Sequence, residues 1–219
     1  MRLACFFSFL TLVSLHVQAE TLVYVGTYTE GNSDSKGIYV CRLDESTGAL
    51  STPVLAAEIV NPSFVALHPT QDWLYAVSEV SSADENTAGI YAFAVNNDGT
   101  LKPLNSRPTG GDAACHLAVD PTGRCIGVAN YSGGSSAVFP IRTDGSLGDV
   151  GSFHQHVGGS GVNPRRQNQP HAHSINFNRD GTQAFVADLG KDQILLFDVD
   201  AGKGTMQPAA QAFVDLPPG

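Results

Sequence analysis

The chain has 219 residues, 42% of them hydrophobic and 15% charged, with 23 Gly and 12 Pro. So many apolar residues and so few charges bury enough surface to offset chain entropy, which excludes a disordered chain and fits one domain. Twelve basic residues against 21 acidic ones give a formal net charge of −9 with no run of Lys or Arg; gripping a phosphate backbone needs a basic face, so a nucleic-acid role is ruled out as a first expectation.

Met1-Arg2 is a positive start, Leu3 to Leu15 is an almost unbroken apolar stretch, and Val17-Gln18-Ala19 resembles a peptidase cleavage site. The apolar run is too short to span a bilayer, so residues 1–19 are predicted to be a signal peptide. Its removal leaves residues 20–219 as one exported domain, periplasmic or secreted, with no membrane segment. A buried N-terminal helix is the alternative. Cys5 leaves with the signal, and Cys41, Cys115 and Cys125 remain. An odd count allows at most one bridge, and buried thiols are the simplest reading.

Leu22-Val23-Tyr24-Val25-Gly26-Thr27 reads as a strand, and Gly37-Ile38-Tyr39-Val40 as the next. Three hairpins then align without gaps: PSFVALHPTQDWLYAVSE (62–79), ACHLAVDPTGRCIGVANY (114–131) and AHSINFNRDGTQAFVADL (172–189), at offsets of 52 and 58 residues. Each has two apolar runs around a turn of Pro, Gly, Asp or Asn, which is a hairpin signature. A third strand follows each hairpin, at Gly89 to Phe93, Ser136 to Phe139 and Gln193 to Phe197. A glycine turn then leads to Leu50, Leu101, Leu147 or Met206, where an outer strand is expected to begin. After residue 19 no window sustains apolar i, i+3, i+4 spacing, so helices are not predicted. Four-stranded antiparallel units at this spacing describe an all-β propeller with about four blades present. The first blade lacks its inner strand. The last residues, Leu216 to Gly219, stop where another inner strand would start, so the chain reads as part of a larger ring.

Four strings resemble the 6-phosphogluconolactonase family, the seven-bladed β-propeller lactonases. They are Tyr24-Val25-Gly26-Thr27-Tyr28-Thr29, Val128-Ala129-Asn130-Tyr131-Ser132-Gly133-Gly134, Asn163-Pro164-Arg165-Arg166-Gln167 with Pro170-His171-Ala172-His173-Ser174, and Ala187-Asp188-Leu189-Gly190. The resemblance covers residues 21–219 and implies hydrolysis of a sugar δ-lactone, typically 6-phosphogluconolactone, without metal or organic cofactor. A fungal muconate-lactonising cyclase is a more distant relative. Family members continue into a Gly-Pro-Arg-His strand start and an Asn-Glu strand end that complete the site. Glu79, in a Val-Ser-Glu string, keeps the carboxylate of the usual Asn-Glu. Export suggests an unphosphorylated lactone as an alternative substrate, since phosphorylated sugars are largely cytoplasmic.

The repeat alignment itself places chemistry. Ser63, Cys115 and His173 are equivalent at the start of the innermost strand, and Ser78, Asn130 and Asp188 at the end of the next, followed by Glu79, Tyr131 and Leu189. Antiparallel neighbours put a start and an end on one rim, so Glu79, His116, Asn130, Tyr131, His171, His173 and Asp188 should gather at one mouth of the channel. Lactone opening needs an activated water, a stabilised carbonyl oxygen and a held sugar. His173 or His171 suits the base or carbonyl polariser, with Glu79 or Asp188 as orienting partner or alternative base. Asn130 and Tyr131 would donate to the substrate, His116 would join them, and Arg165 and Arg166 would recognise a phosphate or carboxylate.

Each residue also has a structural reading. One of the two alternating histidines can pack between blades, Asn130 and Asp188 can bond turn backbone, and Glu79, Arg165 and Arg166 can simply be solvated. His154 and His156 repeat the His-x-His spacing of a metal pair, but no third ligand is in register and a solvated loop is the preferred reading. Two further functions stay open. One is a non-catalytic exported propeller binding a ligand or protein partner; the other is an inactive fragment. Oligomeric state is not legible.

Overall fold

The computed structural model describes residues 21–81 and 89–218. The export segment predicted over residues 1–19 lies outside the described residues. Among the described residues fifteen strands form four antiparallel sheets. The first has three strands, β1 (Thr21–Val25), β2 (Gly37–Leu43) and β3 (Val54–Glu58). The second is a meander of β4 (Val65–Leu67), β5 (Trp73–Ser78), β6 (Gly89–Val95) and β7 (Leu101–Arg107). The third repeats it with β8 (Ala114–Val119), β9 (Cys125–Asn130), β10 (Ser135–Pro140) and β11 (Ser152–Gln155). The fourth contains β12 (Ala172–Phe177), β13 (Gln183–Asp188), β14 (Gln193–Asp200) and β15 (Thr205–Asp215). These are four propeller blades, and the first lacks an inner strand among the described residues, as expected.

Turn chemistry sets the hairpins. At equivalent positions His68, Asp120 and Asn178 each accept turn amides: Thr70 N and Gln71 N on His68 Nδ1 (3.2 and 3.1 Å), Arg124 N and Cys125 N on Asp120 (both 2.7 Å), Thr182 N and Gln183 N on Asn178 (2.9 and 3.1 Å). A side-chain acceptor that replaces a backbone one closes such a turn whichever residue supplies it. The outer strands vary more. Leu101 starts β7 and Met206 lies at the start of β15, as expected, whereas Leu50 and Leu147 form only isolated bridges before β3 and β11 begin.

The sheets pack face to face in chain order, and adjacent residues of one strand belong to different cores. Leu74 and Ala76 of β5 pack with Ile38 and Val40 of the first sheet, while Tyr75 and Val77 pack with Leu117, Ile126 and Phe139 of the third. In β9, Ile126 and Val128 face the second sheet, and Cys125 and Ala129 face Ile175 and Val186 of the fourth. Strands covered on both sides bury successive residues instead of alternating. All of β9 is accordingly buried. In the outer sheets the alternation returns, and Phe185 and Leu196 of the fourth sheet and Val23 and Tyr39 of the first are half-buried on the far faces.

The first strands of successive sheets, β4, β8 and β12, contact one another, so they lie nearest the common axis. Gly134, between β9 and β10, has φ +54°, and a Cβ there would lie 2.5 Å from the Pro170 carbonyl oxygen. This close approach fixes the third sheet against the segment entering β12. Phe139 is fully buried between the second and third sheets. Phe139→Ala should therefore cost about 3–5 kcal/mol in denaturant unfolding, by lost transfer energy plus cavity.

Candidate functional site

The inner strands do not begin regularly. In the third sheet Ala114 pairs with Asn130 and His116 with Ala129, which leaves Cys115 as an extra residue. The fourth sheet repeats this: Ala172 pairs with Asp188 and Ser174 with Ala187, leaving His173 unpaired. Such a bulge turns a side chain out of the normal alternation. One backbone hydrogen bond beside this position recurs in three sheets. Glu79 N donates to Asn61 O (3.0 Å), Tyr131 N to Ala113 O (2.8 Å) and Leu189 N to His171 O (2.9 Å). Ser63, Cys115 and His173 are thus set two residues after an anchored carbonyl, and Glu79 and Tyr131 are held beside them.

These residues converge. Tyr28, Ser63, Glu79, Cys115, Tyr131, Arg166 and His173 line one open pocket of about 320 Å³. Glu79 Oε2 accepts from Tyr28 OH at 2.8 Å and from the Ser63 hydroxyl. Partial desolvation of its hydroxyl, and then the hydrogen bond to Glu79, raise the Tyr28 pKa above its ordinary value, although the residue as a whole is exposed. On the opposite wall Arg166 Nη2 donates to Tyr131 OH at 2.7 Å. The Tyr131 ring meets His173 edge-on, with centroids 5.6 Å apart. It stacks on His171 at 4.6 Å, and His171 Nδ1 donates to the Tyr131 carbonyl (3.0 Å). Of the two alternating histidines, His173 faces the pocket and His171 supports its wall.

Other expected residues lie elsewhere. Asn130 is fully buried and donates to Ser135 Oγ at 3.0 Å, outside the pocket lining. Asp188, also buried, accepts from His171 N at 2.8 Å and pairs with His156 Nδ1 at 2.7 Å. Arg165 and Arg166 are both exposed on their loop, but only Arg166 reaches the pocket lining, through its bond to Tyr131. The loop is pinned by Gln167, buried to 1% exposure, which donates to Leu189 O and Asp192 and accepts from Asn163 N. The preferred reading of His154 and His156 as a solvated loop is corrected. His154 sits in β11 against Phe197 with Nε2 on Met206 O, and His156 is 6% exposed, because the fourth sheet covers both and supplies Met206 O and Asp188 as partners. Among the described residues no His, Cys, Asp or Glu cluster is arranged to hold a metal ion.

Sequence reasoning did not select Tyr28, Ser63 or Cys115 as site residues. Ser63 and Cys115 carried a signal, since both align with His173. Tyr28 carried none beyond its place in a resembling string. The Cys115 thiol is not a nucleophile at neutral pH: burial, then the neighbouring Glu79 charge, push its pKa up to about 12. His116 packs on Phe64 at 4.1 Å, and its Nδ1 accepts from Ile175 N (3.3 Å). Burial, then the proximity of His173, push its pKa down to about 4, so it is neutral and cannot act as an acid.

Residues 22–219 match the family model described as lactonase, 7-bladed beta-propeller. The 6-phosphogluconolactonase of Bacillus subtilis is 36% identical over 180 residues, covering 82% of this chain and 49% of that protein. The chain thus spans about half the length of the curated relatives it matches. Among solved structures, a Bacteroides fragilis protein is 36% identical with a TM-score of 0.83, covering 93% of this chain and 57% of that one. A periplasmic gluconolactonase of Pseudomonas aeruginosa is 33% identical with a TM-score of 0.80, covering 91% and 56%.

His116 makes stability pH-dependent. Between its ordinary pKa of 6.5 and its folded value of about 4, the unfolded chain binds a proton that the folded protein excludes, so stability falls as pH falls through that window. In calorimetry, His116→Phe should reduce the drop in Tm between pH 7 and pH 5 by roughly 2–5 °C. An equal drop in both proteins would assign the acid sensitivity elsewhere.

Proposed function

The chain belongs to the seven-bladed β-propeller lactonase family, and from that premise we propose that it carries the site of an exported lactonase that opens a sugar δ-lactone with water. The carrying observation is the convergence of Glu79, Tyr131, Arg166 and His173 on one pocket from different blades and a pinned loop. An imidazole, a carboxylate, a phenol and a guanidinium around one small cavity form the set that ester hydrolysis of a polyol requires.

In this reading His173 is the general base. It takes a proton from water as the water oxygen bonds to the lactone carbonyl carbon. The carbonyl oxygen gains charge and is stabilised by the Tyr131 hydroxyl. That hydroxyl accepts from Arg166, which leaves its own hydrogen to be donated into the pocket. Collapse of the tetrahedral intermediate breaks the bond from carbonyl carbon to ring oxygen. His173 returns the proton to the departing oxygen, which gives the open-chain acid. Glu79, fixed by Tyr28 and Ser63, accepts sugar hydroxyls and is the alternative base. Arg166 contacts a substrate hydroxyl or anionic group, and Arg165 extends that charge at the pocket edge. His171, Asp188, Asn130 and His116 act from behind the wall. No cofactor enters the reaction.

The substrate is 6-phosphogluconolactone or an unphosphorylated aldonolactone. Export is supported by the n-region, apolar run and cleavage pattern of residues 1–19 and by the periplasmic relative; it favours the unphosphorylated lactone. Acid release from δ-gluconolactone, with and without a 6-phosphate, tests the proposal. His173→Ala should lower turnover by roughly 10²–10⁴-fold with Tm nearly unchanged. Hydrolysis no faster than in buffer with folded, unsubstituted protein would overturn the enzymatic reading and leave a ligand-binding propeller.

A further inference from the structure

Behind the pocket lies a buried polar chain that links the third blade to the fourth. Ser136 Oγ is 3.1 Å from His156 Nε2, and His156 Nδ1 is 2.7 Å from Asp188 Oδ2. One tautomer satisfies both contacts: a proton on Nδ1 is donated to the carboxylate, and Nε2 accepts the serine hydroxyl. The connectivity is that of a hydrolytic Ser-His-Asp triad, but Ser136 is wholly buried and no reacting atom reaches its oxygen. Its position points to a different use.

The other carboxylate oxygen, Asp188 Oδ1, accepts the amide of His171 at 2.8 Å and that of Lys191 at 3.2 Å. At the equivalent entry to the inner strand, Asn61 and Ala113 take positive φ, 43° and 53°, and His171 does not. The second and third blades therefore enter their inner strands through a left-handed residue, and the fourth enters its bulged strand through a side-chain acceptor. His171 then carries the Tyr131 ring by stacking, and two residues on His173 presents its own ring to the same tyrosine. A carboxylate held on both sides by buried hydrogen bonds has one orientation, and it passes that orientation to the amide it accepts.

We propose that His156, tethered by Ser136, is a positioning residue: it fixes Asp188, and Asp188 fixes the bulge that sets Tyr131 against His171 and His173. The proposal rests on the lactonase reading for its functional consequence, but the geometric coupling stands apart from it.

The test compares His156→Leu, which removes both nitrogens, with His156→Asn, which offers an amide N–H near the Nδ1 position. Two readouts are taken from the full protein: the imidazole resonances of His171 and His173 in histidine-labelled samples, and turnover of δ-gluconolactone. His156→Leu should shift both imidazole signals and lower kcat roughly 10–100-fold with KM changed less than about threefold. His156→Asn should restore the signals and most of the turnover. If His156→Leu does not fold, Ser136→Ala cuts only the outer tether and should shift the same signals in the same direction. Unmoved signals in folded variants overturn the proposal, as do moved signals with full turnover. If the unsubstituted protein hydrolyses no lactone, the enzymatic reading fails, and the resonances alone decide the coupling.

Discussion

Burial on both faces of the inner sheets is the constraint from which the rest of the structure follows. Neighbouring residues of β5 and β9 belong to different apolar cores, so neither sheet can be covered from one side only. Each needs a flanking sheet on either face, and twisted sheets stacked face to face turn about an axis. The first strand of each meander is then the one nearest that axis. Residues far apart along the chain meet there because apolar surface has nowhere else to go.

That geometry brings the inner strands together, but regular strands would send alternate side chains into the two cores. The bulges at Cys115 and His173, and the matching backbone around Ser63, break the alternation where the strands enter. Each bulge frees one side chain per blade from packing and aims it into the channel. The pocket is therefore a property of strand register. Its polarity comes from the residues that occupy equivalent positions: a serine, an inert thiol and an imidazole, with a carboxylate and a phenol beside them.

Much of the blade pattern was legible because it rests on local chemistry. The turn acceptors His68, Asp120 and Asn178 and the flanking apolar runs repeat at one spacing, and a hairpin is decided within about 15 residues. The alignment of the three hairpins also paired Glu79 with Tyr131 and Ser63 with His173, and the backbone bonds at those positions are equivalent. Less of the site could be read. Asn130 and Asp188 end strands just before Tyr131 and Leu189, yet both turn into the protein, toward Ser135 and His156. His156 sits in a polar His-Gln-His stretch and looked solvated; its burial depends on Asp188, 32 residues away.

The order of strands, the antiparallel meanders and the rim on which the polar residues collect were determined by the sequence, since apolar alternation and turn residues act over short distances. Which of those polar residues faces a cavity and which is tied into the wall was decided only in the folded molecule. A side chain at a bulge takes its direction from the partner strand's register and from the neighbouring blade. Both are long-range outcomes of packing, so one short string, Pro170 to His173, sends His173 into the pocket and holds His171 behind it.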